Sequence, residues 1–539
     1  MQKLPIGMSE FPELRKKNCV YVDKTRYVYS LINDNSRTFL SRPRRFGKSL
    51  LVSTLTAALQ GKKELFDGLW IASSNHDWSP YGVIRMDFSA LDSKTPDALE
   101  KSLINSLVNI AQDYQLTIKK DFIGMKDALD SVATALHAKF GKVALLIDEY
   151  DYPILHALHS LELAVAIRTV IKDFSTGVKA GQAKIGFVFV TGVSAFSKSG
   201  LSSGLNNLDN LTMNKDFFDI CGYTDEEVDL HFKEHIKNWS ELRNIPYEEI
   251  RSHLKTWYNG YCFKENTPTV YSPFSLTCSL HIQELHNFWF ESATPQVLLN
   301  ELSKEKRQNE YQLFNLDQLE GTVDLLQTFE IENLLLPALL FQMGYLTIES
   351  YDLLSRNYRL KYPNLEVKAS FQRHLVALIT HKSTTHINPL IGKLYTFFAQ
   401  ENLENVVLVL TNIISGIPYP LHINDEKFYH SLLQTIFSAA GIDVQSERLT
   451  SIGRMDLILE LPNILYIVEL KLHKLPEKGL DQIETQKYYE PFLHKNKKII
   501  ALGLSFLRKK TNKKKQENSD FTISYTSKVI CVASPETTE

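Results

Sequence analysis

Up to about residue 225, short apolar runs alternate with longer stretches in which apolar residues recur at helical spacing. Runs of this kind, separated by helical segments, are typical of a parallel sheet covered by helices on both faces. The pattern therefore predicts an α/β region with a helix that begins at Lys48. Its predicted strands are Tyr21–Val22, Thr38–Leu40, Gly82–Asp87, Val143–Ile147 and Ile185–Thr191.

From Thr224 onward the pattern becomes helical and rich in Leu, Phe and His. Thr224 followed by Glu227 is the capping-box signature of a helix N-terminus. Residues 225–420 are therefore predicted to be mostly helical, although 257–263 and 344–350 also carry turn and strand signals.

A compact unit follows the segment 415–425, whose Gly, Pro and Asn residues are typical of a linker. Its predicted elements are a helix at Glu426–Ala440, strands at Val444–Leu449, Met455–Leu461 and Ile464–Leu472, a helix at Glu477–His494 and a strand at Ile499–Ser505. Three domains are thus predicted, at residues 1–224, 225–420 and 421–539. The length of 539 residues agrees with this number, since a domain has roughly 100–200 residues.

Composition mainly excludes classes of protein. A formal net charge of −2 gives no bulk attraction to nucleic acid, so such a partner would need local patches or a metal. The five cysteines form no CxxC pair, which argues against a structural zinc site and fits a reducing cytosol. No apolar signal segment is present, and no apolar run reaches the roughly 18 residues that span a bilayer. A cytoplasmic location is therefore predicted.

A phosphate-binding loop is predicted between the second strand and the helix after it. The segment RPRRFGKS, residues 42–49, matches the GK[ST] end of a Walker A loop, with Arg42 in place of the first Gly. Backbone amides at a helix N-terminus bind phosphate, while Lys48 would reach the β- and γ-phosphates and Ser49 would bind Mg²⁺. Taken alone, the motif is equally well explained as an ordinary start of a helix.

An acidic strand end supplies the second half of a nucleotide site. The apolar run 143–147 ends in Asp148, which would hold Mg²⁺ through water, and Glu149, which would polarise the attacking water. Thr191 and Ser194 emerge at the same sheet edge. The two motifs in this order favour ATP binding. Hydrolysis is a separate question, because Glu149 could form an ion pair with a loop arginine instead of polarising water. The predicted nucleotide-binding residues are Arg44, Arg45, Phe46, Gly47, Lys48, Ser49, Leu50, Asp148 and Thr191.

A second group of charged residues lies on two apolar strands joined by a Pro-Asn turn. Glu469 and Lys471 are two residues apart on one strand, so both point to one face, and Asp456 on the partner strand can approach that face. Two carboxylates beside a lysine suit phosphodiester hydrolysis with Mg²⁺ or Mn²⁺. An isolated triple of this kind is more often a surface ion pair, but here the charges interrupt a strongly apolar strand, where burial without a partner is costly.

Motifs along nearly the whole chain resemble bacterial proteins that join an AAA-ATPase-like domain to a C-terminal PD-(D/E)XK nuclease domain. The similar segments are LPIG (4–7), YVDKT (21–25), SRPRRFGKSL (41–50), LIDEYDYPI (146–154), VTGVSAFS (190–197), CGYTDEEV (221–228), WYNGYCF (257–263), FQMGYLTI (341–348), YPNLEV (362–367), EKFYHSLL (426–433), ERLTSIGRMDLIL (447–459), VELKL (468–472), LDQIETQKYY (480–489) and ALGLSF (501–506). The missing first Gly of the loop is usual in that family.

The resemblance implies a fold and an activity for each end of the chain. It implies a P-loop ATPase with ATP and Mg²⁺, and a metal-dependent nuclease acting on nucleic acid. DNA is favoured over RNA as the partner, although the sequence leaves both open. Asp456, Glu469 and Lys471 would form the nuclease core, with Asp456 and Glu469 as metal ligands, and Glu426 and Gln482 would assist them.

Two further features have an ordinary explanation beside a functional one, and a third departs from the family pattern. His430 near the predicted nuclease residues could bind a metal, but a lone histidine is more often structural. The lysine-rich stretch 495–515 could follow phosphates, although a solvated loop is favoured. Gly479 departs from the family pattern, in which a small helix-forming residue is more usual.

Three functions are compatible with these patterns. The leading hypothesis is a nuclease regulated by nucleotide state through the helical middle region. The first alternative is a signalling or scaffold ATPase whose nuclease-like domain binds nucleic acid or protein without cleaving. The second is an ATPase that acts on protein partners alone. The two carboxylates predicted to bind a metal favour the leading hypothesis over both alternatives, because a binding module does not need them. The sequence does not determine the oligomeric state.

Overall fold

A computed structural model gives the fold of the chain. It describes residues 1–34, 37–119, 121–195, 208–289, 319–326, 331–332, 335–415, 417, 426–449, 454–508 and 521–531. Two compact units are present, one with the described residues up to Val367 and one with those from Lys368 onward. Most of the predicted linker at 415–425 and the lysines at 509–515 lie outside the described residues.

The first unit is built on a five-stranded parallel sheet in the order β2-β3-β4-β1-β5. Its strands are β1 (Arg37–Ser41), β2 (Gly82–Asp87), β3 (Val143–Asp148), β4 (Ile185–Gly192) and β5 (Asp209–Asn210). Every residue of β3 is buried, as expected for a strand covered on both faces. The sheet confirms the predicted parallel α/β fold, with one correction: Tyr21 and Val22 form no strand, and only Cys19 nearby makes a single bridge, to Lys3.

Helices accompany this sheet along the chain. They are α1 (Phe11–Lys16), α2 (Thr25–Asn33), α3 (Lys48–Leu59), α4 (Pro96–Asp113), α5 (Met125–Phe140), α6 (Tyr152–Ala157) and α7 (Leu161–Ala180). Helix α4 begins with Thr95 as N-cap, and α7 begins with Ser160; each side-chain oxygen accepts a backbone N–H of the first turn. Helix α3 begins at Lys48, as predicted.

The remainder of the first unit is mostly helical, as predicted, with one small sheet. Its helices are α8 (Asp225–His231), α9 (Lys233–Arg243), α10 (Tyr247–Tyr258), α11 (Pro273–Ile282), α12 (Val323–Leu326) and α13 (Leu336–Met343). The capping box of Thr224 and Glu227 is confirmed at the start of α8. Three antiparallel strands in the order β6-β8-β7 account for the strand signal near residue 347. They are β6 (Glu320–Thr322), β7 (Thr347–Asp352) and β8 (Asn357–Lys361).

The second unit contains a mixed five-stranded sheet in the order β13-β12-β11-β10-β9, in which only β11 and β12 run parallel. The strands are β9 (Asp443–Leu449), β10 (Arg454–Glu460), β11 (Ile464–Leu472), β12 (Lys498–Arg508) and β13 (Phe521–Cys531). The helices are α14 (Leu365–Ile379), which crosses from the first unit, α15 (Thr384–Ala399), α16 (Leu403–Ile414), α17 (Glu426–Ala439) and α18 (Glu477–Thr485).

Two sequence predictions for this unit were wrong. The helix predicted over 477–494 ends at Thr485 and is followed by a short 3-10 helix, Glu490–Lys495. Strand β13, which pairs with β12 along ten residues, was not predicted. In the described part of the chain, every helix is too short or too polar to span a bilayer.

Side chains alternate between the two faces of the mixed sheet. Tyr466, Val468 and Leu470 join a core with α15, α16 and α17, whereas Leu465 and Ile467 join a separate core with Ile483 of α18. The strand period of two therefore places residue 469 on the α18 face, after Leu465 and Ile467.

Candidate functional sites

The loop between β1 and α3 has the backbone of a phosphate-binding turn. Arg45 has φ 61° and Gly47 has φ 95°, both in the left-handed region, and α3 begins directly after Gly47. Left-handed residues before a helix N-terminus turn successive amides toward the same point, which creates a site for an anion. The positive φ at Gly47 therefore favours glycine, because a residue with a Cβ would be strained there.

Lys48 lies inside this loop rather than in solvent. Its side chain is buried, and its ammonium donates to the carbonyl oxygens of Arg42 at 2.9 Å and Pro43 at 3.0 Å. The ammonium is thus held over the loop that would surround a phosphate. Ser49 and Leu50 follow in the first turn of α3.

Arg42 replaces the first Gly of the motif without entering the loop. Its guanidinium is buried, donates to the carbonyl oxygens of Thr212 and Phe217, and lies 4.0 Å from the ring centre of Phe263. The side chain therefore leaves the phosphate side of the loop free, which explains physically how an arginine is tolerated there.

The predicted acidic pair lies at the C-terminal end of β3. Asp148 is buried, and its carboxylate accepts from the Thr191 hydroxyl at 2.5 Å and from the Glu149 backbone N–H at 3.1 Å. Glu149 has φ 49°, in the left-handed region, so the backbone turns directly after Asp148. Burial raises the pKa of Glu149, while the positive charges of Lys48 and Arg44 oppose that rise. The structure thus brings the loop and the acidic strand end together.

A cavity of about 300 Å³ lies beside this loop. The loop residues 45–51 and Glu149 line one side of it, and its other walls are the segments 5–9, 20–24, 220–223 and 273–277. Sequence reasoning missed these walls, although the resemblance included three of the segments; they lie far apart in the chain and carry no common motif. The described residues Ser49 and Asp148 offer hydroxyl and carboxylate oxygens, the donor types that Mg²⁺ prefers.

The second charged group converges on the α18 face of the mixed sheet. The Asp456 carboxylate accepts the Leu470 backbone N–H at 2.9 Å, and the Asp456 N–H donates to Glu469 at 3.4 Å. The Lys471 ammonium donates to Glu469 at 3.1 Å and to the Leu470 carbonyl at 2.8 Å. The three predicted residues therefore face one point rather than opposite sides of the sheet.

Glu469 is the most perturbed acid of this group. It is 1% exposed, and burial followed by the charge of Asp456 raises its pKa to about 8, although Lys471 opposes the rise. A buried carboxyl beside a second carboxylate favours any cation that can approach it. Here the Lys471 ammonium contacts the Glu469 carboxylate and the Leu470 carbonyl, oxygen atoms that a hard divalent cation also takes.

The donor set fits such a cation only with a backbone contribution. Among the described residues, no group of three or more His, Cys, Asp and Glu side chains is arranged to hold a metal. The oxygens available are those of Asp456 and Glu469 together with the Leu470 carbonyl, and water would complete the shell, as is common for Mg²⁺.

The remaining predicted residues lie around this group. Glu426 begins α17 and accepts the Leu472 backbone N–H at 3.0 Å, so it holds the end of β11. Gln482 on α18 donates to the Tyr488 hydroxyl at 3.4 Å. His430 bonds the Asp456 carbonyl at 2.7 Å, which supports the structural explanation for this histidine.

Two glycines bring α18 into direct contact with the strands of this site. A Cβ added to Gly479 would lie 3.1 Å from the Glu469 carbonyl, and one added to Gly503 would lie 2.1 Å from the Pro476 carbonyl. Gly479, an unusual residue for the family, is therefore explained by the close approach of helix and strand at Glu469.

Gly503→Ala is expected to destabilise the chain by about 1–3 kcal/mol, because the new methyl group overlaps backbone that cannot give way. The measurement is the urea midpoint of the full chain. Gly186→Ala is the matched control, since a Cβ there meets nothing within 4 Å, and its midpoint should stay within experimental error of the wild type. Equal midpoints for both variants would contradict the packing described here.

Comparisons with known proteins match two parts of the chain to family models and find one relative along nearly its whole length. Residues 5–202 match the family model of a predicted AAA-ATPase, and residues 424–516 match that of the PD-(D/E)XK nuclease superfamily. An uncharacterized protein in the vnfD 5′ region of Azotobacter chroococcum mcd 1 is 33% identical over 526 residues, which cover 94% of this chain and 97% of that protein. The solved structure of the Aeropyrum pernix ORC1 protein in complex with DNA aligns at 10% identity over 65% of this chain and 91% of that chain, with a TM-score of 0.26.

Proposed function

The chain belongs to the family that joins an AAA-ATPase-like domain to a PD-(D/E)XK nuclease superfamily domain, and from this premise we propose that it is a nuclease regulated by ATP. The proposed division assigns nucleotide binding to residues 1–224, a mostly helical middle region to 225–420 and nucleic-acid cleavage to 421–539. Helices α15 and α16 of the middle region share a core with strand β11 of the second unit. The proposed cofactors are ATP with Mg²⁺, and Mg²⁺ or Mn²⁺ at the nuclease site. DNA is the proposed substrate.

The convergence of Asp456, Glu469 and Lys471 supports cleavage most directly. Burying Glu469 beside Asp456 is costly for a domain that only binds, because the two carboxylates repel each other and the Lys471 ammonium can offset only one of the two charges. The raised pKa of Glu469 means that burial and Asp456 outweigh the Lys471 ammonium, so a further cation would stabilise the ionised carboxyl. Perturbed acids of this kind concentrate at functional sites.

Each residue of the proposed nuclease site has a separate role. Asp456 and Glu469 would hold the cation, which when bound lowers the pKa of a water and neutralises charge on the phosphate. Lys471 would orient that water or stabilise the charge of the transition state. Glu426 is a positioning residue, since it holds the strand end through Leu472.

The residues of the proposed ATPase site also have separate roles. Lys48 would move from the loop carbonyls to the β- and γ-phosphates, and Ser49 with Asp148 would hold Mg²⁺. Thr191 fixes the Asp148 carboxylate through its hydroxyl. Glu149 lines the cavity and would accept a proton from the attacking water.

Cleavage assays on the full chain test the proposal. Supercoiled plasmid, linear DNA and RNA are incubated with Mg²⁺, Mn²⁺ or EDTA, each with and without ATP. We expect cutting of DNA that needs the divalent cation and changes with ATP. Metal-dependent binding without cutting would favour the scaffold alternative, and neither binding nor cutting of any nucleic acid would favour an ATPase that acts on proteins.

Divalent cations are expected to stabilise the chain more at high pH than at low pH. The folded pKa of Glu469, about 8, lies above its ordinary value of 4.5, so its contribution to stability falls as pH rises through that window. A cation favours the ionised form and offsets the loss, so Mg²⁺ or Mn²⁺ should raise the Tm by a few degrees at about pH 8.5 and less at about pH 6. Thermal unfolding with and without cation measures this. A shift that is equal at both pH values, or that persists in Glu469→Gln, would place the cation elsewhere.

A further inference from the structure

Three consecutive carbonyl groups of the phosphate-binding loop accept hydrogen bonds from side chains. The Lys48 ammonium donates to those of Arg42 and Pro43. The indole N–H of Trp289 donates to that of Arg44 at 2.9 Å. Lys48 is proposed to leave its two carbonyls when it takes up the β- and γ-phosphates. The bond from Trp289 does not use the phosphate-binding ammonium, so it can hold the loop while Lys48 changes partners.

The bond from Trp289 also sets the direction of a backbone amide in the loop. The carbonyl and the N–H of one trans peptide point in opposite directions, so holding the Arg44 carbonyl places the Arg45 N–H on the other side of the chain. Arg45 lines the cavity beside the loop, whereas Trp289 lies outside the walls of that cavity. Trp289 therefore draws a carbonyl oxygen, which would repel a phosphate, toward a residue outside the cavity.

Trp289 is itself fixed by close packing against the loop. It is buried, and its ring centre lies 5.2 Å from that of Tyr345 in an edge-to-face arrangement. A Cβ added to Gly344 would lie 2.6 Å from the Pro43 ring and 3.4 Å from the Trp289 indole. No larger side chain fits at position 344, so the loop and the indole pack against the same short piece of backbone.

The backbone of Trp289 is bonded to the first turn of α14. Its N–H donates to the Glu366 carboxylate at 2.8 Å, and the Glu366 side chain is fully buried. A hydrogen bond to a buried carboxylate is strong, because water does not compete for the charged acceptor. Trp289 therefore joins Arg44 of the loop to α14 through two hydrogen bonds, one from its side chain and one from its backbone.

The same helix contributes to the core of the second unit. Val376 and Ile379, in the last turns of α14, belong to the core that contains Val468 and Leu470 of β11. These two residues of β11 lie on either side of Glu469 in the sequence. A single helix therefore runs from the hydrogen bond at its first turn to the core that covers the other face of that strand.

We propose that Trp289 and Glu366 are positioning residues that connect the phosphate-binding loop to α14, so that phosphate bound in the loop alters the nuclease unit through this helix. The inference rests on the proposed function and names a route for its regulation by ATP. Both residues act through the backbone that they hold rather than on nucleotide or nucleic acid. Phosphate draws the loop amides toward itself, and the Arg44 carbonyl transmits that shift to Trp289.

Hydrogen exchange of the full chain tests the connection without relying on cleavage. We expect a saturating non-hydrolysable ATP analogue with Mg²⁺ to slow exchange in residues 365–379 by about fivefold or more, a size typical of coupled sites. Trp289→Phe removes the indole N–H and keeps an aromatic ring, so this effect should fall below about twofold. Trp239→Phe makes the same change at a buried tryptophan of α9 in the same unit and should respond like the wild type.

Glu366→Gln and Glu366→Leu test the second bond. The glutamine amide oxygen can still accept the Trp289 N–H, whereas leucine cannot, so only the leucine variant should lose the effect on α14. On plasmid DNA, Trp289→Phe and Glu366→Leu should keep basal cutting and lose the change that saturating ATP produces, while Glu366→Gln keeps both. A residue needed only for stability would lower the Tm without separating basal cutting from the response to ATP. If Trp289→Phe does not fold, the two Glu366 variants carry the same comparison.

The outcomes that would overturn the inference differ from those that would overturn the proposed function. A full effect on α14 in Trp289→Phe, or equal loss of it in both Glu366 variants, would remove these hydrogen bonds from the route. A wild type that binds the analogue without any change in α14, or whose cutting does not respond to ATP, would refute the route and leave both sites intact. Failure to bind nucleotide in calorimetry would refute the proposed ATPase site. Absence of cutting would refute the proposed nuclease, while exchange in α14 would still decide the connection.

Discussion

Asp456→Asn should abolish nucleic-acid cleavage, with a loss of about 10³-fold or more. The amide keeps the size of the side chain and an oxygen that can accept the Leu470 N–H, so the fold should be retained. It removes one of two negative ligands, which leaves the cation held by Glu469 and a backbone carbonyl. A metal contributes several kcal/mol to transition-state stabilisation, and each 1.4 kcal/mol changes the rate about tenfold.

The measurement is the rate of plasmid nicking at saturating Mg²⁺ or Mn²⁺. Glu469→Gln and Lys471→Ala should lose activity to a similar degree, because the three groups act on one reacting phosphate. Asp481→Asn is the matched control: it changes an exposed carboxylate of α18 that pairs with the exposed Lys478 at 3.5 Å. Cutting by Asp456→Asn at the wild-type rate would assign the activity to another site or to a contaminant. ATP turnover should be unchanged in all four variants.

The convergence of the proposed nuclease residues was predictable from sequence because its geometry is local. Strand β11 has the bounds predicted from its apolar run, and a period of two then places Glu469 and Lys471 on one face. A short turn to β10 fixes the pairing of Leu457 with Val468, and one more step along this antiparallel register brings Asp456 beside Glu469. No distant part of the chain is needed for these relationships.

Two features of the same unit were predicted wrongly or missed. The helix end depends on single residues, and strand β13 lies many residues along the chain from its partner. The helix predicted to reach His494 ends at Thr485. Two residues later Lys487 has φ 48°, and Pro491 beyond it lacks the N–H that a continuing helix requires. That proline was a signal in the sequence. Strand β13 is separated from its partner β12 by residues 509–520, and neither strand shows by itself that it has a partner.

The proposed nucleotide site was predictable only in part. Lys48 and Asp148 follow from motifs, but Phe274 beside Arg45 and Trp289 beside Arg44 are more than two hundred residues from the loop. The aromatic segment 257–263, for which the sequence indicated only packing, places Tyr261 against Phe46 with their ring centres 4.8 Å apart. Contacts over such sequence distances depend on the packed fold, which local patterns do not encode.

Lys48→Met is expected to weaken ATP binding by about tenfold to a hundredfold and to remove hydrolysis. A hydrogen bond to a charged group contributes about 1.5–3 kcal/mol, and the methionine retains the apolar stem inside the loop while removing the ammonium. The loop also loses the hydrogen bonds from Lys48 to the carbonyls of Arg42 and Pro43. The Tm of the Lys48→Met variant should therefore be compared with that of the wild type. Calorimetric titration with MgATP measures the affinity, and Lys62→Met, at an exposed position after α3, is the control.

The same variant separates the two activities. If nucleotide state regulates cleavage, Lys48→Met should retain the basal cutting of the wild type and lose the change that ATP produces, because the nuclease residues lie in the other compact unit. If ATP does not change the cleavage rate of the wild type, the two domains would be independent enzymes on one chain. If Lys48→Met instead loses basal cutting while its Tm is unchanged, the loop contributes to cleavage without nucleotide, and regulation by ATP must be replaced by a requirement for the loop itself.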